Sequence, residues 1–547
     1  MSLRRVRLVA LAAAVIVLSS GCGSAVVGRA VPGEITQPQP EPRPIEVPEG
    51  FDETPEVRIQ PGKPGGTFRV ADYEPTTLEP GLALSGSELL IASNVFTTLT
   101  RVTPEYEVEP GAAQAWESDK ECREWTFKLK SGGTFHNGEP VTAESFSRGW
   151  TKAVKGAGAG YLFEAVRGFP EVGSGVKAVD DQTLRVRLSR ADCDFPVRVA
   201  HPVFSPLPKA KDDPNKPIGN GPFAVESATE GEKVVLARWD DYRIGDKAYL
   251  DTVELMPVDD PEVAMNGAGE EFDWARASGT RLRQARDEHA PEGNWIAEEV
   301  PGYTGLVPMV KTKPFARPAA RKAISYAIDR DKLAEVLLDG SVPPATGLIS
   351  PSFEDAYQEG TCEPCRYDPG KAKQLAKQGK LGRSTPITLA IPQRQDTVQW
   401  AELIKDQVER ALGVSVKVEA LPPDEYYKGQ GRKGASGLFR GAWLPDVATP
   451  DDMLRPLLSA DGITAGNNTG RYRNKKVEKL LDQAGAAGEH AERDEYLRKA
   501  EKLALSTDMA IIPLLGRKEY RIVDNQGFMN VRMDFYQNAD LRVISVR

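Results

Sequence analysis

This chain of 547 residues has few histidines and no excess of basic residues over acidic ones. The 70 basic residues are outnumbered by 79 acidic ones, which gives a formal net charge of -9 and argues against a nucleic-acid-binding protein. The four histidines, His136, His201, His289 and His490, form no pair with metal-ligand spacing. We therefore expect no metal, no cofactor and no nucleic-acid partner.

Recognisable catalytic motifs are also absent. No Gly-x-Ser-x-Gly sequence occurs, and the nearest approach, residues 434–437, has the wrong spacing. The glycine-rich residues 156–160 lack the Lys-Ser/Thr ending of a phosphate-binding loop. A carboxylate pair for glycoside hydrolysis needs no proximity in sequence, so that chemistry stays open. The sequence thus favours a protein that is not an enzyme, with an exported hydrolase as the less favoured alternative.

Long hydrophobic runs are missing except at the amino terminus. Arg4, Arg5 and Arg7 precede eleven apolar residues, 8–18, which are too few to span a bilayer as a helix. This order predicts a signal peptide over residues 1–21 rather than a buried terminal helix. The small residues before Cys22 resemble a bacterial lipobox, although position 19 is serine where leucine is usual. We expect Cys22 to be lipidated, with a plain soluble signal peptide as the alternative.

Residues 22–60 are poor in aromatic side chains and rich in proline. Eight prolines fall between residues 23 and 62, a composition that cannot bury enough apolar surface to fold alone. The segment is predicted to be an extended tether between the lipid anchor and the globular body.

Four cysteines remain after Cys22, an even number that suggests two disulfides in an exported chain. Four cysteines allow three pairings. The spacing of Cys362 and Cys365 is typical either of a redox motif or of a disulfide that closes a short loop. The loop-like flanking residues favour the structural disulfide. Elimination then leaves Cys122 with Cys193.

Alternating and helical patterns indicate a mixed α/β chain with at least two lobes. Strands are expected at 66–71, 124–130 and 184–188, and a helix capped by Thr142 at 142–155. An apolar strand at 387–391, an amphipathic helix at 400–412 and an alternating strand at 414–418 predict a right-handed parallel βαβ unit. Further helices are expected at 316–338, 474–485 and 491–506.

A set of short motifs in a fixed order resembles the extracellular solute-binding proteins of the oligopeptide, dipeptide and nickel ABC importers (family 5). Each motif is weak alone, but together they extend over residues 65–515. They are Gly65–Phe68, Leu78–Pro80, Trp125–Lys130, Phe135–Gly138, Val141–Phe146, Ile218–Phe223, Trp239–Tyr242, Arg321–Arg330, Tyr367–Pro369 and Ile512–Pro513.

The resemblance implies an α/β, two-lobed periplasmic-binding-protein-like fold of the large class, with an extra subdomain in the first lobe. Lobe I would comprise residues 61–302, with the extra subdomain at about 76–222. Lobe II would comprise 303–513, and the chain would return to lobe I at 514–547. A solute would bind between the lobes as they close about a hinge.

The best ligand candidates lie in residues 439–446. In peptide-binding relatives a tryptophan followed three residues later by aspartate recurs, and this aspartate pairs with the peptide ammonium. Trp443 and Asp446 match that pattern, and Arg440 matches a basic residue that meets the peptide carboxylate. Ala442 and the proline and valine beside Asp446 depart from the common pattern, which leaves the ligand class open.

Three weaker candidates complete the predicted site, namely Tyr73, Ser85 and Tyr303 at the expected lobe edges. The implied function is a monomeric lipoprotein on the extracytoplasmic face of the cell membrane that captures short peptides for an ABC permease. The same role with a nickel chelate, an oligosaccharide or a siderophore-like solute stays open, as does a sensor or adhesion lipoprotein without a transporter.

Overall fold

The computed structural model describes residues 59–547 except for 157–158, 212, 339–340 and 430–434. The predicted signal peptide, the lipidation site Cys22 and nearly all of the predicted tether therefore lie outside the described residues. Within the described part of the chain, no helix has the length and apolar character needed to cross a bilayer.

The described residues form twenty strands. In chain order they are β1 Thr67–Asp72, β2 Thr100–Val102, β3 Val108–Pro110, β4 Ala113–Ser118, β5 Glu124–Leu129, β6 Val176–Asp180, β7 Thr183–Arg187, β8 Phe223–Ala228, β9 Val234–Arg238, β10 Thr252–Pro257, β11 Trp274–Arg276, β12 Trp295–Glu299, β13 Tyr303–Pro308, β14 Pro386–Pro392, β15 Ser415–Leu421, β16 Leu438–Trp443, β17 Ile512–Leu515, β18 Lys518–Val523, β19 Phe528–Met529 and β20 Ser545–Val546.

Fourteen α-helices occur in the same described ranges. They are α1 Gly86–Val95, α2 Ala143–Ala153, α3 Phe195–Arg198, α4 Pro261–Gly267, α5 Leu282–His289, α6 Pro318–Tyr326, α7 Arg330–Leu338, α8 Pro369–Gly379, α9 Gln395–Leu412, α10 Pro423–Gly429, α11 Arg455–Leu458, α12 Ala460–Ala465, α13 Lys475–Gly485 and α14 His490–Lys502.

The fold is the predicted two-lobed α/β arrangement. Lobe I carries a seven-stranded sheet of order β12-β18-β11-β1-β10-β9-β8 and a four-stranded sheet of order β4-β5-β7-β6. Lobe II carries a five-stranded sheet of order β15-β14-β16-β13-β17. The chain passes from one large sheet to the other between β12 and β13, and returns between β17 and β18. The exact lobe boundaries at 302/303 and 513/514 stay predictions.

The βαβ unit is confirmed, because β14 and β15 pair in parallel around α9. Trp400, Ile404 and Val408 are buried and lie on one face of α9, as the helical period requires. In the first lobe, Trp125 and Phe127 of β5 are buried while Lys128 is exposed, as strand alternation predicts. Local periodicity is thus sufficient to fix these elements.

The single helix predicted over 316–338 is wrong, because the chain forms α6 and α7 with a break at residues 327–329. Asp329 caps the new helix by accepting a hydrogen bond from the Lys332 N–H (3.0 Å). The buried Arg330 guanidinium donates to the carbonyl oxygens of Ser325 (3.1 Å) and Ile328 (3.3 Å) at the break between the two helices.

Candidate ligand-binding site

The segment that follows β16 packs between the two lobes. Tyr303 of β13 lies opposite Trp443 in the antiparallel register, so the strand holds Trp443 at the edge of lobe II. The chain then leaves the sheet, and Leu444 and Val447 join an apolar cluster that includes Phe195 and Phe204 of lobe I. Side chains just after Trp443 are consequently buried between the lobes.

Asp446 is 2% exposed and lies in this segment. Its Oδ1 atom has no hydrogen-bond partner among the described residues. Burial and the neighbouring Asp452 carboxylate raise the pKa of Asp446 well above its ordinary value. A buried carboxylate without a cation is costly, so this position is suited to a positively charged group that arrives with a ligand.

Asp452 holds Asp446 and Trp443 in place. Its Oδ2 atom accepts the backbone N–H groups of Asp446 (2.5 Å) and Val447 (3.0 Å). Its carbonyl oxygen accepts the indole Nε1–H of Trp443 (2.8 Å). The tryptophan and the aspartate that the sequence singled out are thus parts of one closed loop.

Arginines from both lobes surround this loop. Arg198 of lobe I pairs with Asp192 (Nε to Oδ2, 2.8 Å), and Arg455 of lobe II pairs with Asp451 (2.7 Å). Arg493 of lobe II pairs with Asp194 of lobe I (3.0 Å) and also with Asp494 (2.8 Å). The Cys193 N–H donates to the Gly485 carbonyl oxygen (2.8 Å), which adds a backbone contact between the lobes.

This network contains more acid than base. Among the described residues it comprises three buried guanidinium groups and six buried carboxylates, which belong to Asp192, Asp194, Asp446, Asp451, Asp452 and Asp494. Burial raises the pKa of Asp194 to about 6, although Arg493 opposes the shift. The region around Asp446 therefore contains more carboxyl groups than guanidinium groups that could pair with them.

A cavity of about 230 Å³ lies beside Trp443 in lobe II. Four of the predicted residues line it, namely Tyr303, Arg440, Ala442 and Trp443. Asp446 is outside the lining but only two residues beyond Leu444, which belongs to it. The cavity and the acidic region therefore meet at the end of β16.

Comparison with known proteins identifies the fold and the family. The model of the family "Bacterial extracellular solute-binding proteins, family 5 Middle" matches residues 107–465, about two thirds of the chain. The chain belongs to family 5 of the bacterial extracellular solute-binding proteins. Members of this family bind solutes for transporters, so this family 5 protein is a solute-binding protein and not an enzyme.

Individual relatives are similar over most of their length. The dipeptide-binding protein DppE of Bacillus subtilis is 25% identical over 485 residues, which cover 83% of this chain and 87% of the relative. The probable deoxycholate-binding periplasmic protein YgiS of Escherichia coli is 27% identical over 493 residues (83% and 88%). The solved structure of clavulanic acid biosynthesis oligopeptide binding protein 2 superposes with a TM-score of 0.81 at 20% identity, covering 90% of this chain and 97% of that one.

Tyr73 and Ser85 lie in lobe I of the family 5 protein, away from the cavity lining. Ser85 caps α1, where its Oγ atom accepts the Glu88 N–H (3.3 Å) and its own N–H donates to Glu88 Oε2 (2.9 Å). Tyr73 follows β1 and donates its backbone N–H to Asp72 Oδ1 (2.8 Å). The structure brings four predicted residues together at one cavity and leaves these two at the opposite lobe.

Sequence analysis missed the residues that come from distant parts of the chain. Arg198, Arg493 and Arg517 have no local pattern that distinguishes them from surface arginines. Asp452 had a signal, because Thr449 and Pro450 precede it and Thr449 Oγ1 accepts the Asp452 N–H (3.3 Å), as in a helix cap. That motif predicts a fixed turn but not its role beside Asp446.

The two crossovers between the lobes touch each other. The Val300 N–H donates to the Arg517 carbonyl oxygen (3.2 Å). At Gly302 a Cβ atom would lie 2.8 Å from the Trp443 carbonyl oxygen and 2.9 Å from Arg517 Cδ. Glycine is therefore required for the close approach of the first crossover to the second and to the ligand-binding segment.

The four remaining cysteines form two disulfides, Cys122–Cys193 and Cys362–Cys365. The first holds the lobe I segment that carries Asp192 and Asp194, close to the interface. Among the described residues, no group of three or more histidine, cysteine or acidic side chains is suited to hold a metal ion.

Proposed function

We propose that this family 5 protein is the substrate-binding component of an ABC importer and captures short peptides between its lobes. The observation that carries the proposal is the buried Asp446 carboxylate, which lies at the lobe interface with one oxygen unpartnered among the described residues. The similarity to a dipeptide-binding protein supports the same solute class.

The amino terminus of a peptide has the chemistry that Asp446 needs. An ammonium group brings a full positive charge and three donors, and its pairing with a carboxylate in a water-excluded cleft offsets the cost of burying both. Asp446 Oδ1 is buried and has no hydrogen-bond partner among the described residues, so it is an acceptor that this ammonium could use.

The other predicted residues would act around this contact. Arg440 would meet a carboxylate of the ligand, Trp443 would form a wall, and Tyr303 and Ala442 would line the space for side chains. Tyr73 and Ser85 would face the ligand from lobe I. Closure about the crossovers at Gly302 and Arg517 would bury the peptide and present the closed lobes to a permease.

We also propose that the amino terminus anchors the protein. Residues 1–21 would be removed, Cys22 would be lipidated, and residues 22–60 would tether the body to the extracytoplasmic face of the cell membrane. Lobe I would comprise residues 61–302, with the extra subdomain at about 76–222, and 514–547, and lobe II would comprise 303–513. The protein would work as a monomer that docks on its permease.

Native mass spectrometry tests the solute class. The purified full-length chain is incubated with a mixture of dipeptides, tripeptides and tetrapeptides, and bound species are identified after denaturation. We expect a stoichiometric complex with short peptides. Asp446→Asn should lower peptide affinity at least 30-fold, about 2 kcal/mol, because a buried ammonium loses its charged partner.

Asp406→Asn on the exposed face of α9 is the matched control, since it removes one carboxylate far from the interface. N-acetylated peptides form a second control, because they lack the ammonium. They should bind the native protein no more tightly than unmodified peptides bind the Asp446→Asn variant. Peptide binding that is indifferent to both changes would contradict the role of Asp446.

A non-peptide solute is the second candidate, and the similarity to a probable deoxycholate-binding protein favours it. Recovery of one non-peptide compound from the purified protein, with no binding of the peptide mixture, would keep the transport role and replace the solute class.

A further inference from the structure

The buried charged network at the lobe interface leaves two carboxyl groups without a guanidinium partner. Within the described part of the chain, Asp446 and Asp452 form no ion pair, whereas the other four buried carboxylates of the network all do. Those pairs are Arg198 with Asp192, Arg455 with Asp451, and Arg493 with both Asp194 and Asp494.

The two unpaired groups, which we call the carboxyl pair, lie close together. Asp452 Oδ2 accepts the Asp446 backbone N–H at 2.5 Å, and the Asp446 carboxyl group is only a few covalent bonds from that nitrogen. Asp446 is 2% exposed and Asp452 is 3% exposed. Two buried carboxylates at such a separation repel each other and lack hydration, so the pair retains a proton.

The hydrogen bonds of the carboxyl pair are unequal. Asp452 Oδ2 accepts a second backbone N–H, from Val447 (3.0 Å), whereas no described residue donates to Asp446 Oδ1. Burial raises the pKa of both carboxyl groups, and Asp452 raises that of Asp446 further. The Arg198 charge opposes the shift at Asp452. The empty site is therefore expected to be protonated in mildly acidic solution.

Lobe I presents groups to the carboxyl pair that do not change charge in mildly acidic solution. Burial and the carboxyl groups of Asp534 and Asp446 raise the pKa of Tyr536, so its hydroxyl stays protonated. His201 packs against Tyr536 with ring centroids 6.1 Å apart, and burial lowers its pKa to about 3, so it is neutral. Burial raises the pKa of Asp534 to about 8, so it keeps its proton in this range.

Lobe II and the interface add two further acids. Asp451 lies beside Asp452 in sequence, and its carboxylate is paired with Arg455 (2.7 Å). Asp194 is paired with Arg493 across the interface (3.0 Å), and burial raises its pKa to about 6. Asp194 therefore titrates in mildly acidic solution as well, and an experiment on the carboxyl pair needs a control at Asp194.

We propose that capture of a ligand ammonium displaces the proton of the carboxyl pair, so that ligand binding is coupled to proton release and weakens in acid. The inference rests on the proposed function, because it takes Asp446 as the ammonium contact. The O–H bond of the protonated carboxyl group breaks, the proton passes to solvent, and the carboxylate pairs with the ammonium. A peptide amine has an ordinary pKa of about 7.7–8.0, so at pH 6 it already carries its own proton.

This coupling fixes the sign of the pH dependence. The empty protein holds more protons than the complex, so raising the pH favours the complex, by up to about 10-fold per pH unit for each proton released. We expect the affinity for Ala-Ala-Ala to be about 10-fold or more higher at pH 7 than at pH 5. N-acetyl-Ala-Ala-Ala needs no ionised partner, so the preference for the unmodified peptide should shrink at pH 5.

Calorimetry in buffers of different ionisation enthalpy measures the released protons directly. The native full-length chain is titrated with Ala-Ala-Ala at pH 6 in phosphate, MES and imidazole. The slope of the binding enthalpy against the ionisation enthalpy of the buffer gives the number of protons that pass to the buffer. We expect about 0.5–1 proton released per bound peptide, since the carboxyl pair titrates as a unit.

Variants assign the proton to its source. Asp446→Asn should bind weakly, and its affinity should change by less than about 3-fold between pH 5 and pH 7, because the ionisable partner of the ammonium is gone. Asp194→Asn and the exposed α9 control Asp406→Asn should release as many protons as the native chain. Thermal unfolding confirms that each variant is folded, and the native chain with the two peptides tests the coupling without any substitution.

Tight peptide binding by the native chain with no proton release would overturn the coupling and leave the proposed function intact. A native pH dependence that persists in folded Asp446→Asn, or that disappears in folded Asp194→Asn, would overturn the assignment to the carboxyl pair. Failure of every peptide to bind at any pH would instead overturn the proposed function, and the inference with it.

Discussion

Asp194 of lobe I and Arg493 of lobe II form a buried ion pair across the lobe interface, with Oδ1 3.0 Å from Nη1. The two residues are 299 positions apart in the sequence. Asp194 directly follows Cys193 of the Cys122–Cys193 disulfide and directly precedes α3, which supplies Arg198 to the same network. A buried charged cluster thus forms part of the contact between the lobes.

Asp194→Ala should separate the lobes more readily. Arg493 would keep Asp494 as a partner but would lose its charge contact with lobe I, so we expect destabilisation of about 2–4 kcal/mol, near the range for broken buried pairs. Thermal unfolding and the radius of gyration from X-ray scattering measure the effect. Glu495→Ala, which breaks the exposed Glu495–Lys499 pair, should change stability by less than about 1 kcal/mol. Equal effects of the two substitutions would contradict the interface role.

Stability should depend on pH through Glu501. Its buried carboxylate accepts the Ile349 N–H (2.9 Å), and burial raises its pKa from 4.5 to about 7. The folded state therefore holds more protons than the unfolded state between pH 4.5 and about 7, so stability falls as pH rises through this window. Glu501→Gln should raise the melting temperature at pH 8 and leave it nearly unchanged at pH 4.

The exposed Glu402→Gln on α9 is the control for that experiment and should shift neither value. A lower melting temperature of Glu501→Gln at pH 8 would show that the ionised carboxylate stabilises the fold, contrary to this assignment.

The two disulfides should differ in their contribution to stability. Cys122–Cys193 closes 71 residues and Cys362–Cys365 only three. The chain-entropy relation gives about 4 kcal/mol for the long loop and about 2 kcal/mol for the short one. Denaturant unfolding of the two double Cys→Ser variants measures both. A larger loss from the Cys362–Cys365 variant would contradict the expectation.

Gly302→Ala should disturb the two crossovers between the lobes. The added Cβ would meet the Trp443 carbonyl oxygen at 2.8 Å, so a crossover must shift, at about 1–3 kcal/mol. Ligand affinity should fall as well, because Trp443 belongs to the predicted site. Gly382→Ala is the matched control, since nothing lies within 4 Å of its Cβ position. Native-like melting and affinity of Gly302→Ala would show that the crossovers tolerate the added methyl group.

The sequence was sufficient where the determining contacts are local. The β14–α9–β15 unit follows from periodicity within about 35 residues, and the Thr142 cap of α2 follows from its immediate neighbours. The break between α6 and α7 was not predictable, because Arg330 is held by the carbonyl oxygens of Pro513 and Cys365, far away in the chain.

The candidate site was predictable to a similar degree. Trp443 and Asp446 were found because they belong to one short motif whose order resembles the family. The partners that give Asp446 its electrostatic surroundings, such as Arg198 and Asp452, come together only through the fold.

Both ends of the described chain belong to lobe I, where the Lys63 N–H donates to the Val546 carbonyl oxygen (3.3 Å). Lobe II is therefore inserted into lobe I, and in the described part of the chain the backbone passes between the lobes at two adjacent crossovers. With the anchor that we propose at Cys22, a force from the membrane would act directly on lobe I. Lobe II could then rotate during each transport cycle without moving the tether.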